Sequence, residues 1–452
     1  MRDRLRDALK KSNADYCEIR FEESEGVSLA FRGKEMESAD AGAFSGGIVR
    51  ACVKGGWGLV SFDSLDALQE SVAAACHCAK LVSRDKTQLA EIEIEESEYP
   101  AELEQDFREI ALEDKIELIR AYNEIVMGAG PSIASSQVRY EDRFRRICLA
   151  TSDGHYHMEE RPLAGCLIIA RARDGSMVQT AHDSWASPLG YGVVQNREED
   201  ARKIADRAMA LLKAPKVEGG PQTVILNPMM GGVFVHEAFG HLSEADFLSD
   251  NPRLLEQMQL GRKLGPDFLN VVDGAAGLQT VGSLRFDEEG TPAHKTYLIR
   301  DGILSSHLHS RETAAKMGEE PTGNARAVSR GHGPIVRMTN TYIESGESKK
   351  EALFEGIDKG VYACDAFGGQ TQFEMFTFSA GYGYRIENGE VGELVRDVVL
   401  TGNVFQTLNH IDALANDMEM LQGLGGCGKE FQSPLPVGFG TPHMRIRDVV
   451  IG

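Results

Sequence analysis

The sequence predicts an α+β protein made of antiparallel sheets with packed helices and a strand-rich carboxyl half, and three observations carry that expectation. Apolar and polar residues alternate at period two over residues 16–22, 26–31, 47–53 and 58–62, with Gly55-Gly56 as the turn between the last two. Apolar stripes at helical spacing follow over residues 65–82, 106–127 and 198–212. Beyond residue 290, Asp301-Gly302 and Asn388-Gly389 stand between apolar runs, the usual chemistry of hairpin turns.

Taken in order, residues 1–12 read as a short amphipathic helix, since Leu5, Ala8 and Leu9 interrupt a charged run. Four strands then form a sheet that the helix at 65–82 closes on one face. A helix at 106–127 precedes strands at 138–149, 165–172 and 177–181 and a helix at 198–212. The segment Ala-Pro-Lys-Val-Glu-Gly-Gly-Pro at 214–221 is the clearest punctuation in the chain, which places a boundary between an amino-terminal α+β unit, 1–217, and a strand-rich unit, 218–452. In the second unit, residues 223–226 read as a strand, Gly231 and Gly232 as a break, and 233–248 as a helix. Strands are expected at 295–300, 303–309, 335–343, 382–386 and 391–400.

Composition narrows the function. The 48 basic residues against 69 acidic ones leave a formal charge of −21, which opposes binding to phosphate backbones and anionic lipid. No uninterrupted apolar run is long enough for a membrane span, and residues 1–12 lack the apolar core of a secretion signal. Eight cysteines scattered over 452 residues suit reduced thiols better than a disulfide framework, so a soluble cytoplasmic protein is expected.

The chemistry concentrates at His236-Glu237-Ala238-Phe239-Gly240-His241. Two imidazoles and a carboxylate within six residues are what a zinc peptidase needs: histidines hold the metal, and the carboxylate Glu237 moves the proton of the attacking water. The histidines are five apart rather than four. On a regular α-helix that separation is about 140°, against about 40° for four, so both reach one ion only if the helix widens or breaks between them. A π-bulge or equivalent break is predicted at Phe239-Gly240, where glycine makes distortion cheap. The plainer alternative is two unrelated histidines, one packed and one exposed. A candidate third ligand is Cys427, in the glycine-rich turn Leu424–Lys429 and without apolar neighbours to make it an ordinary core residue.

These residues resemble the catalytic TldD branch of the TldD/PmbA peptidase family. Besides the 236–241 segment, the sequence carries Asp287-Glu288-Glu289-Gly290-Thr291-Pro292, Leu308-His309-Ser310-Arg311, Pro321-Thr322-Gly323-Asn324-Ala325-Arg326, Arg337-Met338-Thr339-Asn340-Thr341-Tyr342-Ile343 and Cys427-Gly428-Lys429, in the family's order. Glu288 and Ala325 depart from the pattern, away from the proposed ligands. The resemblance implies a cytoplasmic metallopeptidase that binds Zn2+ through His236, His241 and Cys427, with Glu237 as base, acting on unfolded or short peptides. It also implies pairing, either as a homodimer or with a PmbA/TldE-like subunit that lacks the metal motif. The family's older description as a modulator of DNA gyrase agrees with peptide substrates rather than nucleic acid.

Other residues have competing readings. His307 and His309, two apart in an expected strand, face one side and could orient substrate or a ligand. Arg311 and Arg326 could hold a peptide carboxylate or form ion pairs. Thr339-Asn340-Thr341 could offer an edge for an added peptide strand, or lie inside a sheet. Cys76-His77-Cys78 falls within a helix, where positions two apart diverge, and reads as packing. The alternatives to a peptidase are a non-catalytic peptide-binding or scaffold subunit and a structural zinc site with four protein ligands.

Overall fold

The computed structural model describes residues 1–83, 87–277 and 279–452. Helix α1 (Arg2–Leu9) leads into β1 (Tyr16–Arg32), β2 (Glu35–Val53) and β3 (Gly56–Phe62), and α2 (Leu68–Leu81) follows. Next come β4 (Glu96–Tyr99), α3 (Leu112–Gly128), the long ribbons β5 (Ile133–Thr151), β6 (Tyr156–Asp174) and β7 (Met177–Ser187), and α4 (Glu198–Lys213). The seven strands form one sheet, ordered β3-β2-β1-β5-β6, with β4 and β7 sharing the outer edge of β6.

The two faces of this sheet have different jobs. On β1, Cys17, Ile19 and Phe21 pack in one apolar cluster with Leu5 of α1 and Val72 and Ala75 of α2. Leu29 and Phe31 pack in another with Ile119 and Val126 of α3 and Ile204 and Ala208 of α4. All five strand positions are odd, so the helices cover a single face. The even positions Glu18, Arg20, Glu22 and Ser24 are also buried, on the other face. There the carboxyl half covers them: Arg50 pairs with Glu18 and Glu289, Arg20 donates to the carbonyls of Ser329 and His332, and Arg161 pairs with Glu288 at 2.8 Å. Buried charges of this kind are held only because each is paired or bonded to backbone.

The second half opens with β8 (Gly220–Leu226) and α5 (Pro228–Phe234). Strand β8 lies between Lys359–Gln372, parallel to it, and Met444–Ile451, antiparallel, in a second seven-stranded sheet. A six-stranded sheet holds Val271–Gly274, Asn340–Ile343 and Gly438–Thr441 side by side. One large core links the layers and includes Phe234, Val235, Ala238, Phe239, Phe376 and Phe378. Each such fully buried valine or phenylalanine side chain contributes roughly 1.5–3 kcal/mol.

Several expectations change. Residues 35–46 belong to β2 although most are solvent-exposed, so no buried face imposes an alternation there. Gly231 and Gly232 do not break the chain but lie inside α5, where a methyl group would strike Thr441 Oγ1 and Phe439. The helix expected at 106–127 begins with a separate turn at Phe107–Glu109. After Ile303–Leu304 the strand expected to residue 309 survives only as a single bridge at Leu308. Cys76 is buried in α2 while Cys78 is exposed, as packing requires. Among the described residues, no helix is long and apolar enough to cross a membrane.

Candidate metal centre

The strand-to-helix junction at residue 227 aims the histidine segment. Asn227 accepts the Met230 N–H at 2.9 Å, Pro228 fills the first turn, and α5 starts from the end of the buried strand β8. Over Val235–Gly240 the helix widens to a π-helix, in which the His241 N–H bonds to the His236 carbonyl. That five-residue bond brings the two rings onto one side, with centroids 5.4 Å apart and planes at 80°. The predicted distortion is therefore present, although not for the expected reason. Gly240 has ordinary helical angles, φ −57° and ψ −50°, but a Cβ there would lie 2.0 Å from the Met338 sulfur. Glycine is needed for close approach rather than for backbone freedom.

Cys427 arrives on a hairpin of Cys427–Lys429 and Gln432–Leu435. The buried Arg337 clamps it, donating to the Cys427 carbonyl at 2.7 Å and the Gln432 carbonyl at 3.0 Å. Cys427 Sγ stands 3.2 Å from His241 Nε2, and one donor atom from each of His236, His241 and Cys427 lies within 4.8 Å of the others. Burial alone would push the Cys427 thiol up, but hydrogen bonding to and the charge of His236, then of His241, bring it down to about 5. Thiolate is the form that binds metals.

Glu244 and Lys429 complete the surroundings. Glu244, fully buried, accepts from His241 Nδ1 at 3.0 Å and pairs with Lys429 at 3.1 Å. Burial would raise its carboxyl, yet His241 and then Lys429 hold it at about 2. Burial would lower His241, but the charge of Glu244 and the hydrogen bond to Cys427 leave it well above the usual histidine value. The sequence reading missed Glu244, whose signal was its position three after His241, one turn along a helix. Lys429 also bonds Asp246 at 2.6 Å and the Val336 carbonyl at 2.9 Å.

Glu237 is half-buried, its carboxylate 3.8 Å from His241 Nε2. Together with His236 and Cys427 it lines a cleft of about 520 Å³, whose other wall carries Ile169 of β6 and Thr180 and His182 of β7. A larger cavity of about 730 Å³, beside Arg143, Arg161 and Arg326, is lined by no histidine or cysteine among the described residues. The smaller one is the functional candidate because it holds the donors.

The remaining candidates lie elsewhere. His307 and His309 are buried against Glu319 and do not line the cleft. Arg311 is an ion-pair residue, 3.0 Å from Asp153. Arg326 donates to the carbonyls of Met338 and Pro436. Thr339 and Thr341 bond Asp273, and the strand Asn340–Ile343 has neighbours on both sides, so it offers no free edge.

Residues 219–452 match the PmbA/TldA metallopeptidase C-terminal domain, 17–79 its domain 1 and 105–214 its central domain. The chain belongs to the TldD/PmbA metallopeptidase family. It is 44% identical to a metalloprotease of Synechocystis over 98% of this chain and 96% of that one. It is 32% identical to a zinc metalloprotease TldD homolog of Saccharolobus solfataricus, over 75% and 76% of the two chains. In fold it is similar to a Thermotoga maritima protein described as a modulator of a DNA gyrase, with TM-score 0.80 and 20% identity, covering 100% of this chain and 99% of that one. It is also similar to TldE from Thermococcus kodakarensis, with TM-score 0.77 and 19% identity over 100% and 99%.

Proposed function

We propose that this TldD/PmbA metallopeptidase is a zinc-dependent peptidase whose metal is held by His236, His241 and Cys427 and whose general base is Glu237. The observation that carries the reading is the convergence of those three donors beside a cleft lined by His236, Cys427 and the carboxylate-bearing Glu237. The residues fit the ion: two imidazoles and a low-pKa thiol form a zinc-type donor set, and His236 Nδ1 is buried without a hydrogen-bond partner. Zinc bound there would polarise a peptide carbonyl and acidify a water.

The chain's own side chains do the rest. Glu237 takes a proton from the attacking water and returns it to the departing amine, a role open to it because its carboxylate faces the cleft. Glu244 fixes the His241 ring through Nδ1, leaving Nε2 directed at Cys427. The apolar wall of Val233, Ile169 and Phe439 excludes water from an unfolded or short peptide without demanding a particular side chain. A structural zinc site would need a fourth ligand, whereas among the described residues this donor group has three.

Pairing with a second copy or a PmbA/TldE-like subunit belongs to the same proposal. It is supported by the likeness to TldE and by exposed apolar side chains at two hairpin tips, Phe373 with Met375 and Phe431. A cytoplasmic setting is supported by eight cysteines without a disulfide. Two units, 1–217 and 218–452, are supported by apolar clusters whose fully buried members all come from one side or the other, with only the boundary residue Val217 packing against the core of the second. The deciding experiment compares the wild-type chain with Glu237→Gln on a quenched unstructured peptide, with zinc measured in both. Retained zinc with lost hydrolysis is expected. Undiminished hydrolysis rejects the base, and no hydrolysis by the wild type, alone or with its paired subunit, favours a peptide-binding scaffold.

A further inference from the structure

The His307–His309–Glu319 cluster is a second place where donors converge. His307 Nε2 lies 2.8 Å from the Met258 carbonyl, which can only accept, so Nε2 carries a hydrogen. The opposite nitrogen, Nδ1, lies 2.9 and 3.0 Å from the two oxygens of Glu319. The Thr313 hydroxyl lies 3.1 Å from His309 Nδ1 and 3.3 Å from the Ser310 carbonyl. His309 Nε2 is 3.1 Å from Glu319 Oε2. One nitrogen of each ring therefore faces the same carboxylate.

The two rings share one carboxylate, with centroids 6.0 Å apart and relative exposures of 1% and 0%. A single divalent cation serves all three donors at once, and the three ligand atoms already lie within 4.8 Å of one another. Two imidazoles and a carboxylate suit a zinc-type ion. The outward nitrogens are each tied to a hydrogen-bond partner, the Met258 carbonyl and the Thr313 hydroxyl, as in histidines held to bind metal.

We propose that His307, His309 and Glu319 form a second divalent-metal site, separate from the cleft. Its place in the fold gives it a purpose. Between the two histidines, Leu308 donates its N–H to the Ser243 carbonyl at 2.8 Å and accepts from the Ala245 N–H at 2.9 Å. Those bonds bracket Glu244, which holds His241. A cation gripping both neighbours of Leu308 locks the segment that positions Glu244.

The test uses the full-length chain carrying Cys427→Ser and His241→Ala, so that the cleft is disabled and failure of the peptidase reading does not affect the outcome. After equilibration with Zn2+ and dialysis, one zinc per chain is expected in this variant and two in the wild type. Co2+ should give ligand-field absorption in the variant without the thiolate charge-transfer band. Adding Glu319→Gln should weaken the remaining zinc by at least about 100-fold, with circular dichroism reporting that the chain stays folded. No zinc in the cleft-disabled chain overturns the proposal. A measurement free of substitutions at this cluster guards against misfolding: 15N chemical shifts of the His307 and His309 rings in the cleft-disabled chain should move on adding Zn2+, and doubly protonated rings that ignore zinc also overturn it.

Discussion

The two histidine clusters are built from similar parts and differ in what surrounds them. His236 and Cys427 line a cleft of about 520 Å³ together with Glu237, and a donor atom of His241 lies within 4.8 Å of theirs. His307, His309 and Glu319 are closed in by Met258, Thr313 and Leu308, and their one carboxylate is itself a donor. Under the two proposals, three donors in each case would seat a cation. Room for a substrate and a carboxylate left over to move protons separate a reactive seat from a bracing one.

The largest effect that sharpens this contrast is removal of a cleft donor. Cys427→Ser combined with His241→Ala should bring peptide hydrolysis to background, and atomic emission on the same sample should find zinc only at the buried cluster. Next comes Glu237→Gln, expected to lower kcat by roughly 100- to 10,000-fold while zinc content is unchanged; a fall in zinc instead would make Glu237 a ligand and erase the distinction. Glu244→Gln should weaken zinc at the cleft by about 10- to 100-fold, read by competition with a chelator. Gly240→Ala must displace the Met338 sulfur and should cost about 1–3 kcal/mol in a denaturant melt. The smallest effect is in pH. In metal-free protein Glu244 and Glu319 are both held at about 2, below the ordinary carboxyl value of 4.5. The stability they supply is present above that ordinary value and is lost as pH falls toward 2, so Glu244→Gln should flatten the acid limb of the melting profile.

How much of this was legible depends on whether a residue's neighbours in sequence are also its neighbours in space. The odd positions of β1 announced a strand because one face is packed by helices, and the helix at Glu198–Lys213 was readable from Ala201, Ile204, Ala205 and Ala208. The strand at Lys359–Gln372 was not read, since Gly368, Gly369, Gln370 and Gln372 interrupt any apolar alternation and its place is fixed by pairing with Met375–Glu387. At the candidate metal centre, the five-residue spacing called for a widened helix if both histidines were to reach one ion. The pairing of Arg337 with the Cys427 hairpin, and of Met338 with Gly240, spans too many residues for any local pattern to reveal. His307 and His309 showed their shared side, but their partner Glu319 lies beyond an intervening helix, Arg311–Met317.

The loop that delivers Cys427 leans on the other half of the protein. Leu424 N–H donates to Ser184 Oγ at 2.7 Å, the Gln422 carbonyl accepts from Ala186 N–H at 3.3 Å, and the Leu424 side chain fills the space over Gly165 that a methyl group would occupy. All the proposed cleft ligands are thus encoded after residue 235, yet the sulfur's aim is inherited from strands that end before residue 190. A chain truncated to begin at residue 218 would keep every proposed ligand and lose that mooring.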